Sequence, residues 1–221
     1  MKKKIIRLFV LFVFAIMSIN TFAQDKYRAE IGLSGGGSYY IGDANSQLFN
    51  NMQLTYGGFF RYKIDTRFAI KADFSIVTKI VGPNKSFEND TINVGDICLE
   101  FNFFDLENNP FNRKSRTFSP YVFAGVGMMT DLYLYQKYPE PFIPFGIGMK
   151  VKLSERWNFI AQWSNKLLLL SDNMENNQKY NNPKNLNGTN IFNNDLLSTI
   201  TVGISFELWE KPCHCLNNTL K

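Results

Sequence analysis

The 221-residue chain has a single histidine and three cysteines. These residues supply most transition-metal ligands and many general bases, so their scarcity argues against a histidine-based metal centre or a Ser–His nucleophilic site. The histidine, His214, and two of the cysteines, Cys213 and Cys215, lie together in Lys211–Cys215 (KPCHC) near the C-terminus. Three ligands in three consecutive residues cannot close a tetrahedral zinc site without a fourth, and the neighbouring sequence offers no obvious one. The chain also lacks a P-loop, a dinucleotide fingerprint, spaced Cys/His pairs and the acidic spacing of a calcium loop. No cofactor, metal or small-molecule substrate is therefore expected.

Long apolar runs are missing too. Beyond the N-terminus none approaches the roughly 18 residues that a transmembrane helix needs. The N-terminus itself has a basic start, an apolar run from Leu8 to Met17, and Thr21-Phe22-Ala23 before Gln24. That order predicts a secretory signal peptide over residues 1–23, with an apolar core too short to be an anchor. A basic excess disappears with it. Four of the 24 basic residues lie in the signal, leaving 20 against 19 acidic ones. A nucleic-acid footprint needs clustered basic surface, and none is present.

The sequence is rich in aromatics and glycine, with 21 Phe, 10 Tyr, 3 Trp and 15 Gly. Period-two alternation recurs along it, the mark of strands with two different environments. The spacing predicts eight strands: Tyr27–Ile41, Gln53–Asp65, Phe68–Ile80, Thr91–Phe104, one starting at Ser119, Phe142–Leu153, Trp157–Leu168 and Leu196–Trp209. The fourth changes phase along its length, which predicts a bulge near Gly95. Val77 interrupts an otherwise polar face of the third. Three-residue turns, Asp65-Thr66-Arg67 and Ser154-Glu155-Arg156, follow the second and sixth strands. The asparagine-rich stretch Ser171–Asp195 is the longest connection.

One face of each strand is apolar, while the other is mostly small residues with a few charges. A soluble sandwich would carry far more charge on its outer face. A bilayer admits strands only if every backbone group is paired, so the sheet must close. The fold class expected is all-β: an eight-stranded antiparallel transmembrane β-barrel over residues 24–209, with a periplasmic tail over 210–221. Eight strands leave an interior filled by side chains. Arg28, Glu30, Arg61, Lys63, Lys71, Asp73, Glu100, Lys150, Lys152 and Glu207 are assigned to a lumen charge network near the short turns, where opposite signs pair. Cys98 is placed in the same interior. Tyr27, Tyr62, Phe68, Phe103 and Trp157 are assigned to an aromatic girdle at the headgroups. This implies an outer-membrane location among outer-membrane lipids, with long loops extracellular and both termini periplasmic.

Three segments, YRAEIGLSGGGSYYIGD, PFIPFGIGMKVKLSERWNF and GISFELWEKPCHC, together resemble the PorG family of outer-membrane barrels from Bacteroidetes, a component of the type IX secretion system. The resemblance spans essentially the whole mature chain. It implies a non-enzymatic subunit associated with a periplasmic ring built from a lipoprotein resembling PorK and its partner resembling PorN. The closing strand, GISFELW, looks like an outer-membrane insertion signal, although a twelve-residue tail follows it here. Two other classes compete. One is a stand-alone barrel of OmpX or OmpW type, in adhesion or small-solute passage. The other is a lipid-modifying barrel enzyme, disfavoured because His214 lies beyond the last strand. In an oxidising compartment, unpaired Cys213 and Cys215 suggest an intermolecular disulfide, and the resemblance supplies the ring lipoprotein as its partner. Asp90-Thr91-Ile92 also looks like a Bacteroidetes O-glycosylation acceptor at Thr91.

Overall fold

In the computed structural model the described residues are 27–41, 47–81, 88–89, 91–104, 106, 117–131, 139–169 and 195–210. The signal peptide, Cys213, His214, Cys215 and nearly all of the Asn-rich connection lie outside them. The strands are β1 (Tyr27–Ile41), β2 (Gln53–Lys63), β3 (Phe68–Val77), β4 (Ile80–Val81), β5 (Glu88–Asn89), β6 (Ile92–Asn102), β7 (Phe118–Asp131), β8 (Glu140–Lys152), β9 (Trp157–Leu168) and β10 (Leu196–Glu210). β4 and β5 form a separate two-residue ladder. The other eight form a closed barrel in the order β1-β10-β9-β8-β7-β6-β3-β2, with β2 returning to β1.

Every barrel pair is antiparallel, and β1 joins the last strand as well as the second. The closure leaves no edge with unpaired backbone groups. The two three-residue turns use the same backbone pattern. Ile64 and Asp65 donate their N–H groups to Phe68 O at 2.9 and 3.1 Å. Leu153 and Ser154 do the same to Trp157 O at 2.9 and 3.1 Å. The Asp65 carboxylate accepts the Thr66 N–H at 2.8 Å, which explains the aspartate at that turn.

The alternation separates two surfaces. Leu33, Phe74, Ile97, Val126, Ile147 and Val202, from six different strands, are each more than half exposed on the outer wall. A continuous apolar exterior of this kind is a poor match for water and a good one for hydrocarbon.

The expected bulge near Gly95 is absent. β3 and β6 keep one register from Phe68↔Phe101 to Val77↔Ile92. Ile92 and Val94 therefore face inward with Asp96, Cys98, Glu100 and Asn102. The change of phase in the sequence marks a change in the lumen from polar to apolar contents. Val77 has the same cause, because it is 1% exposed within that apolar layer.

Candidate functional site: the filled lumen

The interior is built in layers, from the short-turn end towards the long-loop end. At the short-turn end, Glu207 receives two ammonium groups. Lys63 Nζ donates to its Oε1 at 2.8 Å and Lys152 Nζ to its Oε2 at 2.5 Å. The Asn158 amide donates to Glu207 Oε1 at 3.2 Å and to Glu30 Oε1 at 3.4 Å, tying this group to the next. The Ser205 hydroxyl also donates to Glu30.

Arg61 is the centre of the second layer and is fully buried. Its Nε and Nη2 donate to Glu100 Oε2 and Oε1 at 2.7 and 3.1 Å, a bidentate fork. Its Nη1 lies 2.8 Å from Glu30 Oε2. Lys150 Nζ reaches the same Glu100 at 3.1 Å. Higher still, Lys71 Nζ donates to Gln162 Oε1 at 2.7 Å and pairs with Asp73 at 3.3 Å. Lys71 and Arg61 thus each have a carboxylate partner, which is the condition for keeping charge inside a barrel.

Aromatic rings complete these layers, and glycines make room for them. Gly32 faces Phe59 across the β1–β2 pair, Gly146 faces Phe123 and Gly148 faces Tyr121 across β7–β8. A Cβ at Gly148 would lie 2.3 Å from the Tyr121 ring, and one at Gly32 2.4 Å from that of Phe59. The seated rings in turn carry cations. Arg61 lies 4.9 Å over Phe59, Lys150 5.0 Å over Tyr121 and Lys71 5.0 Å over Phe123.

Above this the chemistry changes. Tyr40, Val77, Ile92, Val94, Met129, Phe142, Leu168 and Leu197 form one buried apolar cluster. Tyr40 is its polar margin, donating its hydroxyl to Asp195 Oδ1 at 2.8 Å. Phe142 is seated on Gly127 in the same manner as the lower rings.

Nine of the ten residues assigned to the network line this interior. The tenth does not. Arg28 is exposed, and Tyr27 is buried at the end of β1. The Tyr27 ring lies 5.3 Å from the Arg156 guanidinium and 6.0 Å from Lys152 Nζ, and its hydroxyl accepts from Arg156 Nε at 3.3 Å. Those contacts cover the ring, so Tyr27 is not an exposed girdle residue. Tyr62, Phe103 and Trp157 are exposed on the outer wall, while Phe68 is half-buried against Phe101 with ring centroids 5.2 Å apart. Trp209 joins this outer set. Its φ of 56° turns the ring outward to within 6.0 Å of Phe60.

Sequence reasoning missed several members. Asn158, Gln162, Asp96 and Lys166 share the inward face of their strands, and that parity was the available signal. Tyr121 and the ring-bearing glycines gave a weaker one, because β7 and β8 carry aromatics at one end of their inward faces and glycines further along. A cavity of about 20 Å³ remains at the short-turn end, lined by Glu30, Lys150, Asn158 and Glu207 among others. That is room for about one water.

A closed antiparallel barrel of eight strands, apolar outside and filled with paired charges inside, defines a small barrel of the outer-membrane type. The chain belongs to the family described as a domain of unknown function, DUF6089, whose model matches residues 6–217. No curated protein matches it. Among solved structures it is similar to Neisserial surface protein A (NspA), at 9% identity and a TM-score of 0.52, covering 81% of this chain and 97% of that one. The N-terminal β-barrel domain of Pseudomonas aeruginosa OprF gives 12% identity, a TM-score of 0.49, and 81% and 97% coverage. Ail, the attachment invasion locus protein of Yersinia pestis, gives 10%, 0.47, and 83% and 100%. At these identities the likeness is one of fold.

Proposed function

We propose that the protein is a non-enzymatic outer-membrane barrel that works through its two ends and its outer wall and conducts nothing through its lumen. The observation that carries this reading is the filled interior. A bidentate Arg61–Glu100 layer and an apolar layer of Leu168, Leu197, Phe142 and Val94 lie in series. The short turns face the periplasm in this reading, and the long connections, Ser171–Asp195 above all, face outward. In this reading the small barrel acts alone, with recognition or adhesion through those loops. Cells displaying the chain should gain adherence to a host surface, and deletion of residues 172–194 should remove it. Unchanged adherence after that deletion would contradict the loop-based form.

The segments resembling PorG favour a second reading. In it the barrel is a subunit of a type IX secretion system, holding periplasmic ring proteins resembling PorK and PorN, with Cys213 or Cys215 as a covalent tether. A detergent pulldown of tagged protein separates the two readings. Recovery of the barrel alone supports the stand-alone form, and recovery with ring proteins supports the subunit. Non-reducing gels of the wild type and the Cys213→Ser/Cys215→Ser variant test the tether, which requires a larger band in the wild type only.

A further inference from the structure

The outer wall is largely apolar, but near the long-loop end one of its rows carries three adjacent polar side chains. Tyr39, Ser198 and Asn165 are lateral neighbours on β1, β10 and β9, and all three face outward. The row above is Ile41, Leu196, Leu167 and Ile143. The row below is Gly37, Ile200, Trp163 and Ile147. With strands about 4.8 Å apart, the polar row is roughly 10 Å wide.

Its hydrogen bonds run one way. Trp163 Nε1 donates to Ser198 Oγ at 2.8 Å, and Ser198 Oγ donates to Asn165 Oδ1 at 2.9 Å. Such a chain polarises its members and leaves the Asn165 amide N–H groups as its donor end. No described residue accepts from them. At the other end of the row the Tyr39 hydroxyl is buried and has no hydrogen-bond partner.

A strained segment lies against that tyrosine. The Phe49 ring packs on Tyr39 with centroids 5.2 Å apart, and Phe49 and Asn51 have φ of 62° and 51°. Positive φ is uncommon for a bulky residue, and strain of this kind persists where a site needs it. An unsatisfied hydroxyl and a strained cap thus coincide beside a chain of hydrogen bonds that ends in free donors.

We propose that this row binds the acyl-linkage carbonyls of an outer-leaflet glycolipid of the lipid A class, with Asn165 as the standing donor and Tyr39 as a second donor exposed when Phe49 moves aside. Three features select that ligand. The free groups are neutral donors, which suit ester and amide carbonyls. They lie just inside the apolar band, at the depth where acyl chains join a headgroup. A row three strands wide suits a lipid that presents several acyl linkages side by side. The assignment to the outer leaflet rests on the orientation given under Proposed function.

The test uses the full-length mature chain, purified and refolded in detergent, with lipid A and phosphatidylethanolamine as probes and native mass spectrometry as the readout. Lipid A should be retained preferentially. Asn165→Leu and Tyr39→Phe together should lower its retention about ten-fold, and Phe49→Ala should raise it. Tyr39→Phe alone should raise the melting temperature without lipid and shrink the shift that lipid A produces. All three sites face outward, and heat-modifiable gel mobility confirms folding. Equal retention of the two lipids, or unchanged lipid A retention in the double variant, would overturn the proposal. Protease shaving of intact cells tests the orientation separately, so a failure there is distinguishable from a failure of the site.

Discussion

The two halves of the lumen solve the same problem by opposite means. Near the short turns the space is filled by charge, with Glu30, Glu100 and Glu207 each shared between cationic or amide donors. Near the long loops it is filled mainly by carbon, with Leu168, Leu197, Val94 and Val77 packed with at most 1% exposure beside the buried Lys166. Charge inside a barrel is tolerable only as a complete network, because removal of one member strands the others in a medium that cannot solvate them. Carbon is tolerant of small changes but leaves a hole when a side chain is removed. The charged half therefore specifies which side chains must meet, and the apolar half specifies mainly volume.

Unequal mutations should expose the difference. The largest effect is expected from Glu100→Ala, which leaves Arg61 and Lys150 without their shared carboxylate. Loss of a buried partner of this kind costs about 3–5 kcal/mol, measured as the shift in urea unfolding of the refolded barrel by tryptophan fluorescence. Replacement of Glu100 by Gln keeps the volume and one acceptor, and should fall between Ala and the wild type. In the apolar half, Leu168→Ala should cost about 2–5 kcal/mol, while Leu168→Met should cost less than about 1.5 kcal/mol. No similarly mild substitution is expected for Arg61, where even lysine loses the bidentate fork.

The glycines sharpen the contrast at smaller scale. Gly148→Ala places a methyl group on the Tyr121 ring and should cost about 1–3 kcal/mol by overpacking. Gly95→Ala meets nothing within 4 Å and should be nearly silent in the same assay. The smallest effect is expected at Arg28, where alanine should change stability by no more than about 0.5 kcal/mol. A large loss there would return Arg28 to the lumen.

Much of this architecture was legible in the sequence, because a barrel wall imposes a strict period of two. β1 and β9 end where the alternation predicts, and the inward charges from Glu30 to Glu207 follow from parity alone. Three features were not legible, each for a physical reason. The change of phase at Ile92 and Val94 read as a bulge because apolar side chains in a membrane strand are expected to meet lipid, yet this lumen has its own apolar layer. At the end of β1 Arg28 is exposed and Tyr27 buried, because the Arg156 guanidinium covers the Tyr27 ring from a turn distant in sequence. The inward glycines read as small filler, and only the paired register shows that they seat the rings of Phe59, Tyr121, Phe123 and Phe142. The polar row on the outer wall was hidden in a similar way, since Tyr39, Ser198 and Asn165 come together only across three strands.

The central claim is that the charged and apolar layers close the barrel in series, so that its work lies on its surfaces. Planar-bilayer recording of the refolded wild-type chain tests it most directly. The account predicts no stable current steps above the leak at moderate voltage in molar salt. It also predicts that opening one layer alone, with Leu168→Ala, leaves the barrel closed. Reproducible conductance steps from the wild-type barrel would contradict it.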